Sequence, residues 1–303
     1  MIERALELVN GRYWHYRFSK KTNAPTLVLL HASPRNSSMF LPFMAHLQDH
    51  FNVVAPDTPG YGLSESLAQT PEDIYGYLPA LRAFLHQIGV QKCTFYGSAT
   101  GAQIGIAYAL TYPNDVQKLY LDNAADFSDQ ARRQIVEHYF PDLTPRADGA
   151  HLLQAWAMAG QSFQFFPWFE ANEAHRISDF EPTAAMQHTS AMEFLAAGVA
   201  YDLAYRFAFE HERAQKVQAL TVPAVVFRWL GGMLLPHTDA LIAAGLPPNV
   251  EVVEIPAATQ EFNENGGSNA RCYRARYCLR YLTVSAPARS DAPASPTSSL
   301  SWA

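Results

Sequence analysis

Apolar and polar positions alternate between two rhythms over the first 123 residues. Short unbroken apolar runs, "TLVLLH" (26–31), "FNVVAPD" (51–57), "CTFYG" (93–97) and "VQKLYLDN" (116–123), read as strands buried on both faces. Between them, apolar residues recur at helical spacing. "PEDIYGYLPALRAFLHQIG" (71–89) opens with a proline and two acids and stops at Gly89, which predicts one helix. "AQIGIAYALTYP" (102–113) predicts another, ended by Pro113. Ahead of these, "ALELV" and "RYWHYRF" read as two strands joined at Asn10-Gly11, a hairpin signal. Strands alternating with helices predict an α/β protein with a mostly parallel central sheet covered on both faces.

From Ser128 to Leu220 the strand runs disappear. Aromatic-rich helical patterns replace them, such as "HLLQAWAMAGQSFQFFPWFE" (151–170) and "EFLAAGVAYDLAYRFAFEHERAQKV" (193–217). Strands resume with "VPAVVFRW" (222–229) and "VEVVEI" (250–255). A helical block set between strands of one sheet predicts an inserted cap, giving a core of residues 1–127 and 221–282 and a cap of residues 128–220. Residues 283–303 are Ser/Pro/Ala-rich without periodicity and predict a disordered tail. The stretch before them, "ENGGSNARCYRARYCLRYL", is polar and Arg-rich for a last helix packed on a sheet.

Composition narrows the function classes. At 303 residues and 49% hydrophobic, the chain can bury a large core. With 28 acidic against 22 basic residues, no basic face is implied, so nucleic acid is not an expected partner. No apolar run reaches the roughly 18 residues of a membrane span. The N-terminus is charged and lacks the apolar region of a signal peptide. Three cysteines, Cys93, Cys272 and Cys278, are too few and odd in number for a disulfide framework, which points to a reducing, cytoplasmic setting. Cys93, within an apolar strand, reads as a small buried hydrophobe. Metal-ligand spacings, a P-loop and a dinucleotide fingerprint are missing from the sequence, so no cofactor or metal is expected.

The chemistry concentrates in "TFYGSATGAQIGIAYALTYP" (94–113). A strand runs into a tight Gly97-Ser98-Ala99-Thr100-Gly101 turn and then a helix, the setting of a nucleophile elbow. The central position, which would carry the nucleophile, is Ala99. Two further stretches follow strand ends, "LVLLHASPRNSSMF" with His31-Ala32-Ser33-Pro34, and "VVAPDTPGYGLSE" with Asp57, Gly60, Gly62 and Ser64.

In this order and spacing the stretches resemble the α/β-hydrolase superfamily, strongly over residues 5–125 and more weakly over 220–260. The resemblance implies an α/β-hydrolase fold with the active site between sheet and cap. It implies an oxyanion hole from the backbone N–H groups of Ala32 and Thr100, with His31 orienting its loop. The family's catalytic residues have no ordinary counterparts here. Ser98 is the neighbouring candidate nucleophile. For the acid, Asp122 at a strand end and then Asp126 are candidates, because Gly231-Gly232 stand where the usual acid would be. No histidine follows His237 in the chain, so His237 is the candidate base.

In the cap, Trp156, Phe163, Phe165, Phe166, Trp168 and Phe169 suit a small apolar or aromatic ligand, while Arg146 is a candidate to clamp a carboxylate and His151 to face the cleft. The resulting expectation is a hydrolase of a small ester or C–C bond substrate with an incomplete triad. The alternatives are a non-catalytic ligand-binding relative, or a lyase or cofactor-free oxygenase on the same fold.

Overall fold

The computed structural model describes residues 1–257 together with Cys278, Tyr281 and Leu282. The last-helix and tail stretches read from the sequence otherwise lie outside the described residues, as does Cys272.

In chain order the regular elements are β1 (Glu3–Val9), β2 (Arg12–Ser19), β3 (Thr26–Leu30), α1 (Leu41–Leu47), β4 (Asn52–Pro56), α2 (Leu78–Gln87), β5 (Cys93–Ser98), α3 (Thr100–Thr111) and β6 (Val116–Asp122). There follow α4 (Asp129–His138), α5 (Ala150–Gln161), α6 (Ala184–Ala196), α7 (Leu203–His211) and α8 (Ala214–Gln218). The sheet then resumes with β7 (Ala224–Trp229), α9 (Leu235–Ala243) and β8 (Val250–Ile255). The strands form one eight-stranded sheet in the order β1-β2-β4-β3-β5-β6-β7-β8. β1, β2 and β4 pair antiparallel, and every pair from β4 onward is parallel. The four runs read as doubly buried strands take the centre of this sheet. Leu27, Val53, Phe95 and Leu119 are each 0% exposed, as a sheet covered on both faces requires.

Two apolar clusters flank the sheet. Leu78, Phe84, Ile104 and Ile106 of α2 and α3 pack on one face with Val28, Phe95 and Leu121. Phe43, Met44 and Leu47 of α1 pack on the other with Leu29, Tyr96 and Phe227, joined by Cys278 and Leu282. Cys93 is buried in the first cluster, and burial pushes its thiol well up, which keeps it protonated and inert.

The helical patterns are real, but three of them are cut shorter than their spacing suggested. Residues 71–89 divide into a single 3-10 turn, Ile74–Tyr77, capped by the Asp73 carboxylate, and then α2 with Pro79 in its first turn. The 151–170 pattern ends at Gln161, after which the chain turns back so that Phe165 bridges Arg176. The 193–217 pattern breaks where Gly198 adopts φ +72, giving the end of α6, then α7 and α8. The inserted block is also not uniform. α4, α5 and α6 share an apolar cluster with Phe127, Tyr139 and Phe209. Ala204, Phe207, Ala214 and Val217 of α7 and α8 instead pack into the core cluster of α3.

Candidate active site

β5 ends at Ser98, α3 begins at Thr100, and Ala99 alone makes the turn between them at φ 49°, ψ −111°. A non-glycine residue pays for such a backbone. Gly97 and Gly101 make the turn sterically feasible: a Cβ on Gly97 would meet the backbone of Gly101 and Ala102, and one on Gly101 would overlap the Leu30 carbonyl. The Ala99 N–H donates to the Asp122 carbonyl at 2.9 Å, so the turn is tied to the end of β6. Tyr96, Gly97, Ser98, Thr100, Gly101 and Ala102 are all buried, whereas Ala99 is half-buried. Ala99 lines an open space.

That space is a cavity of about 400 Å³ between the C-terminal ends of the strands and the inserted helices. Its floor holds Ala32, Ser33, Ser98, Ala99, Thr100 and Asp122, and its roof includes Tyr139, Phe163, Phe166, Phe194, Tyr205 and Phe209. A mainly aromatic pocket with a few polar groups converging on one end suits a small organic ligand. Among the described residues, no group of three or more His, Cys, Asp or Glu is placed to hold a metal ion.

The floor's polar groups are held from several elements. Ser98 and Asp122 are register partners on the adjacent parallel strands β5 and β6, and both are buried. The Tyr96 hydroxyl donates to Asp122 Oδ2 at 2.9 Å, which aims the carboxylate along the cavity floor. The Ser33 N–H donates to Thr100 Oγ1 at 3.3 Å and joins the loop after β3 to the start of α3. His31 braces that loop: its Nε2 accepts from the Thr58 N–H at 2.8 Å and its Nδ1 lies 3.1 Å from the Ala32 carbonyl. Burial lowers its pKa, so the imidazole is neutral and both contacts are satisfied by the Nδ1–H tautomer. His31 does not line the cavity.

Asp57, singled out with the Gly60-Gly62 stretch, is a structural hub. Its carboxylate accepts from the Ser37 N–H at 2.7 Å and the Leu63 N–H at 2.9 Å, and lies 2.8 Å from His15 Nδ1. Burial alone would raise its pKa, but the hydrogen bonds led by His15 bring it down to about 2. Gly62 is the one residue type that fits beside it, since a Cβ there would overlap the carboxylate.

Several sequence candidates stand away from the cavity. His237, in the first turn of α9, stacks on Phe127 with ring centroids 4.1 Å apart, and burial lowers its pKa. Arg146 is on the surface, paired with Asp148 at 2.6 Å, and its backbone N–H donates to His151 Nδ1 at 3.1 Å. Trp156 lies on the outer side of α5 at 37% exposure. Trp168 is buried within the insert, its Nε1 donating to the Tyr139 carbonyl at 3.0 Å. Asp126 accepts from the Ala214 N–H at 3.2 Å and serves a loop junction. Of the aromatic cap candidates, Phe163, Phe165 and Phe166 line the cavity, and Trp156, Trp168 and Phe169 do not.

Residues that the sequence did not single out complete the lining. Phe40, Tyr139, Tyr205 and Phe209 contribute rings, and Arg35 and Glu193 form an ion pair at 3.6 Å between the loop after β3 and α6. Glu212, just past α7, puts a buried carboxyl into the same lining. Arg35 follows the His31-Pro34 turn directly, which could have flagged it. Glu193 and Glu212 sit in helical patterns that give no such signal.

The family described as alpha/beta hydrolase fold matches residues 25–264. An uncharacterized hydrolase of Saccharomyces cerevisiae is 25% identical over 118 residues, spanning 39% of this chain and 41% of that protein. The chain thus spans less than half the length of that relative. The 2-(acetamidomethylene)succinate hydrolase of Mesorhizobium japonicum is 25% identical over 261 residues, covering 81% of this chain and 84% of the relative. Among solved structures, the enol-lactonase of Burkholderia xenovorans superposes with a TM-score of 0.64 at 21% identity, covering 92% of this chain and 100% of the other. At that identity the likeness speaks for the fold.

Proposed function

The chain belongs to the alpha/beta hydrolase fold family, and on that premise we propose that it is a hydrolase of a small, apolar or aromatic organic substrate, of the ester or C–C bond class, working without a side-chain nucleophile at position 99. The observation that carries this reading is the strained backbone of Ala99 at the wall of an aromatic cavity of about 400 Å³. The helices of the insert act as a cap over that cavity. The hydrolase and lactonase names of relatives support a small organic substrate.

In the proposed reaction the substrate carbonyl rests against the backbone N–H groups of Ala32 and Thr100, an oxyanion hole at the N-terminus of α3. A water above the Ala99 methyl attacks the acyl carbon. Asp122, aimed by Tyr96, takes its proton and returns it to the leaving oxygen or carbon as the tetrahedral oxyanion collapses, which breaks the scissile bond and restores the carboxylate. Phe163, Phe166 and Phe209 hold the apolar part of the substrate. A second reading gives the attack to Ser98, which its register opposite Asp122 favours.

The test is hydrolysis of p-nitrophenyl acetate and butyrate by the parent chain, Ala99→Ser, Ser98→Ala and Asp122→Asn. The expected result is parent turnover that survives Ser98→Ala and falls by roughly 100-fold or more in Asp122→Asn, the scale of lost general-base catalysis. Loss of turnover in Ser98→Ala moves the nucleophile to Ser98. Silence of the parent and of Ala99→Ser on both esters overturns the ester-hydrolase reading.

A further inference from the structure

One side-chain chain crosses the molecule without a part in the reaction above. On the surface of α8, Lys216 Nζ donates to the Tyr75 hydroxyl at 3.1 Å. That hydroxyl is 3.2 Å from His211 Nε2, His211 Nδ1 is 2.9 Å from Gln103 Oε1, and Gln103 Nε2 donates to Glu212 Oε1 at 3.1 Å. His211, Gln103 and Glu212 are 6%, 1% and 5% exposed. Every link has one consistent direction. Lys216 has only donors, so Tyr75 accepts from it and gives its own proton to His211 Nε2. His211 then carries its hydrogen on Nδ1 and donates to the Gln103 oxygen. This fixes the amide so that its NH₂ faces Glu212. The chain ends on a carboxyl in the cavity wall, beside Ala208 and Phe209.

Among the described residues, no cationic side chain is hydrogen-bonded to or ion-paired with the terminal carboxyl. The nearest guanidinium, Arg132, gives Nη2 to the backbone carbonyls of Phe127 and Glu212, Nε to that of Phe209 and Nη1 to Asp129. Asp126, His211, Arg213 and Tyr205 are the other ionisable neighbours. A carboxylate buried on two neutral donors, the Ala125 backbone N–H and the Gln103 amide, beside aromatic rings, is costly, whereas a carboxylic acid is at home there. Burial accordingly raises the Glu212 pKa well above the carboxylate range, and burial followed by Lys216 brings that of His211 down to about 3.

We propose that Glu212 is a ligand-recognition group, presenting a carboxylic O–H in an otherwise aromatic cavity to an acceptor oxygen of the bound molecule. The ligand class that follows is an aromatic or apolar molecule with a carbonyl or comparable acceptor, and organic cations are excluded. Gln103 and His211 are positioning residues that hold the carboxyl in register. The assignment rests on the cavity being the ligand site, as in the proposed hydrolase, but requires no turnover.

The experiment measures binding of three probes to the full chain by calorimetry: acetophenone, which has a carbonyl and no titrating group; ethylbenzene, its counterpart without the acceptor; and benzyltrimethylammonium. Acetophenone is expected to bind about tenfold more tightly than ethylbenzene, the scale of one well-placed hydrogen bond. Glu212→Ala should erase that preference. Glu212→Gln should keep most of it, because the amide N–H still donates. Acetophenone affinity should fall as pH rises through the Glu212 pKa, and Gln103→Leu should move that fall to higher pH. Circular dichroism confirms folding of each variant; if Glu212→Ala does not fold, Glu212→Gln serves through the pH dependence of acetophenone binding, which it should abolish and whose persistence would overturn the assignment. An acceptor preference that persists in Glu212→Ala, Glu212-dependent binding of the cation, or no saturable binding of acetophenone overturns the assignment. Ester assays are scored separately, so a silent hydrolase with an intact Glu212-dependent preference would sink the proposed reaction alone.

Discussion

Replacing Ala99 by glycine should stabilise the protein, against the usual direction of Ala-to-Gly changes. At φ 49°, ψ −111° Ala99 sits in backbone space that an L-residue with a Cβ rarely adopts, a strain worth about 1–3 kcal/mol. Glycine enters that region freely. Against the relief stand about 0.4–1 kcal/mol from the more flexible unfolded chain and a fraction of the ~0.8 kcal/mol of one buried carbon, since the methyl is only half-buried. The balance is a gain of about 1 kcal/mol. With a urea dependence of about 1–3 kcal/mol per molar, the unfolding midpoint should rise by roughly 0.5 M. Urea titration followed by circular dichroism reads this directly, with Ala107→Gly inside α3 as the control that loses about 1 kcal/mol or more. A lowered midpoint for Ala99→Gly would refute the reasoning. The elbow would then be an ordinary turn, and its form no longer an argument for a position shaped for chemistry.

Other substitutions test the frame around that position. Gly101→Ala forces a Cβ against the Leu30 carbonyl; because both partners are backbone, a loss of about 3 kcal/mol or more is expected in the same titration. Asp57→Asn replaces an acceptor of two backbone N–H bonds by a side chain that is half donor, and should cost about 3 kcal/mol at neutral pH. In the parent, Asp57 drops from the ordinary 3.8 to about 2 on folding. Its contribution of about 2 kcal/mol is therefore present above 3.8 and lost as pH falls through 2. Acid titration should show Asp57→Asn lacking that part of the parent's decline. Glu212 has the opposite sign: its raised pKa favours folding below the ordinary 4.5, and this is lost as pH rises through the folded value. Glu212→Gln should thus melt higher relative to the parent at about pH 8 than at about pH 5, and equal shifts at both would count against a neutral carboxyl.

Some of the site was legible because its chemistry is local in sequence. The Gly97-to-Gly101 turn announces itself since only small residues let α3 start against Leu30, and that constraint falls within five positions. The Asp57–Gly62 pairing is equally local. The strands were legible for a related reason: burial on both faces leaves no room for polar positions, so β3, β4 and β5 read as unbroken apolar runs. Helix ends were harder. The break at Gly198 interrupts a pattern whose apolar spacing continues on both sides, and periodicity alone carries no information about where tertiary packing stops it.

The polar side of the cavity was illegible for a different reason. Glu212 meets Gln103 across 109 positions, and Tyr75 meets Lys216 across 141. Each residue looks like an unremarkable polar position on its own helix or loop. What makes Glu212 unusual is the company that folding supplies: an amide fixed in one orientation, aromatic rings, and an arginine already committed to carbonyls. The candidates that were chosen from sequence, Arg146, His151 and His237, were chosen for intrinsic reactivity. Their partners turned out to be Asp148, a backbone N–H and Phe127. Reactivity at a site is a property of surroundings more than of residue type, and surroundings assembled from distant segments are the part of a fold that a single sequence encodes least directly. The same reasoning bears on Ala99. An alanine at the centre of the turn offers no attacking atom, while the strain, the two flanking glycines and the cavity form a setting around it. In the reaction proposed for this site the proton transfer accordingly falls to Asp122 on the floor, while Glu212 on the wall is left to recognise the ligand.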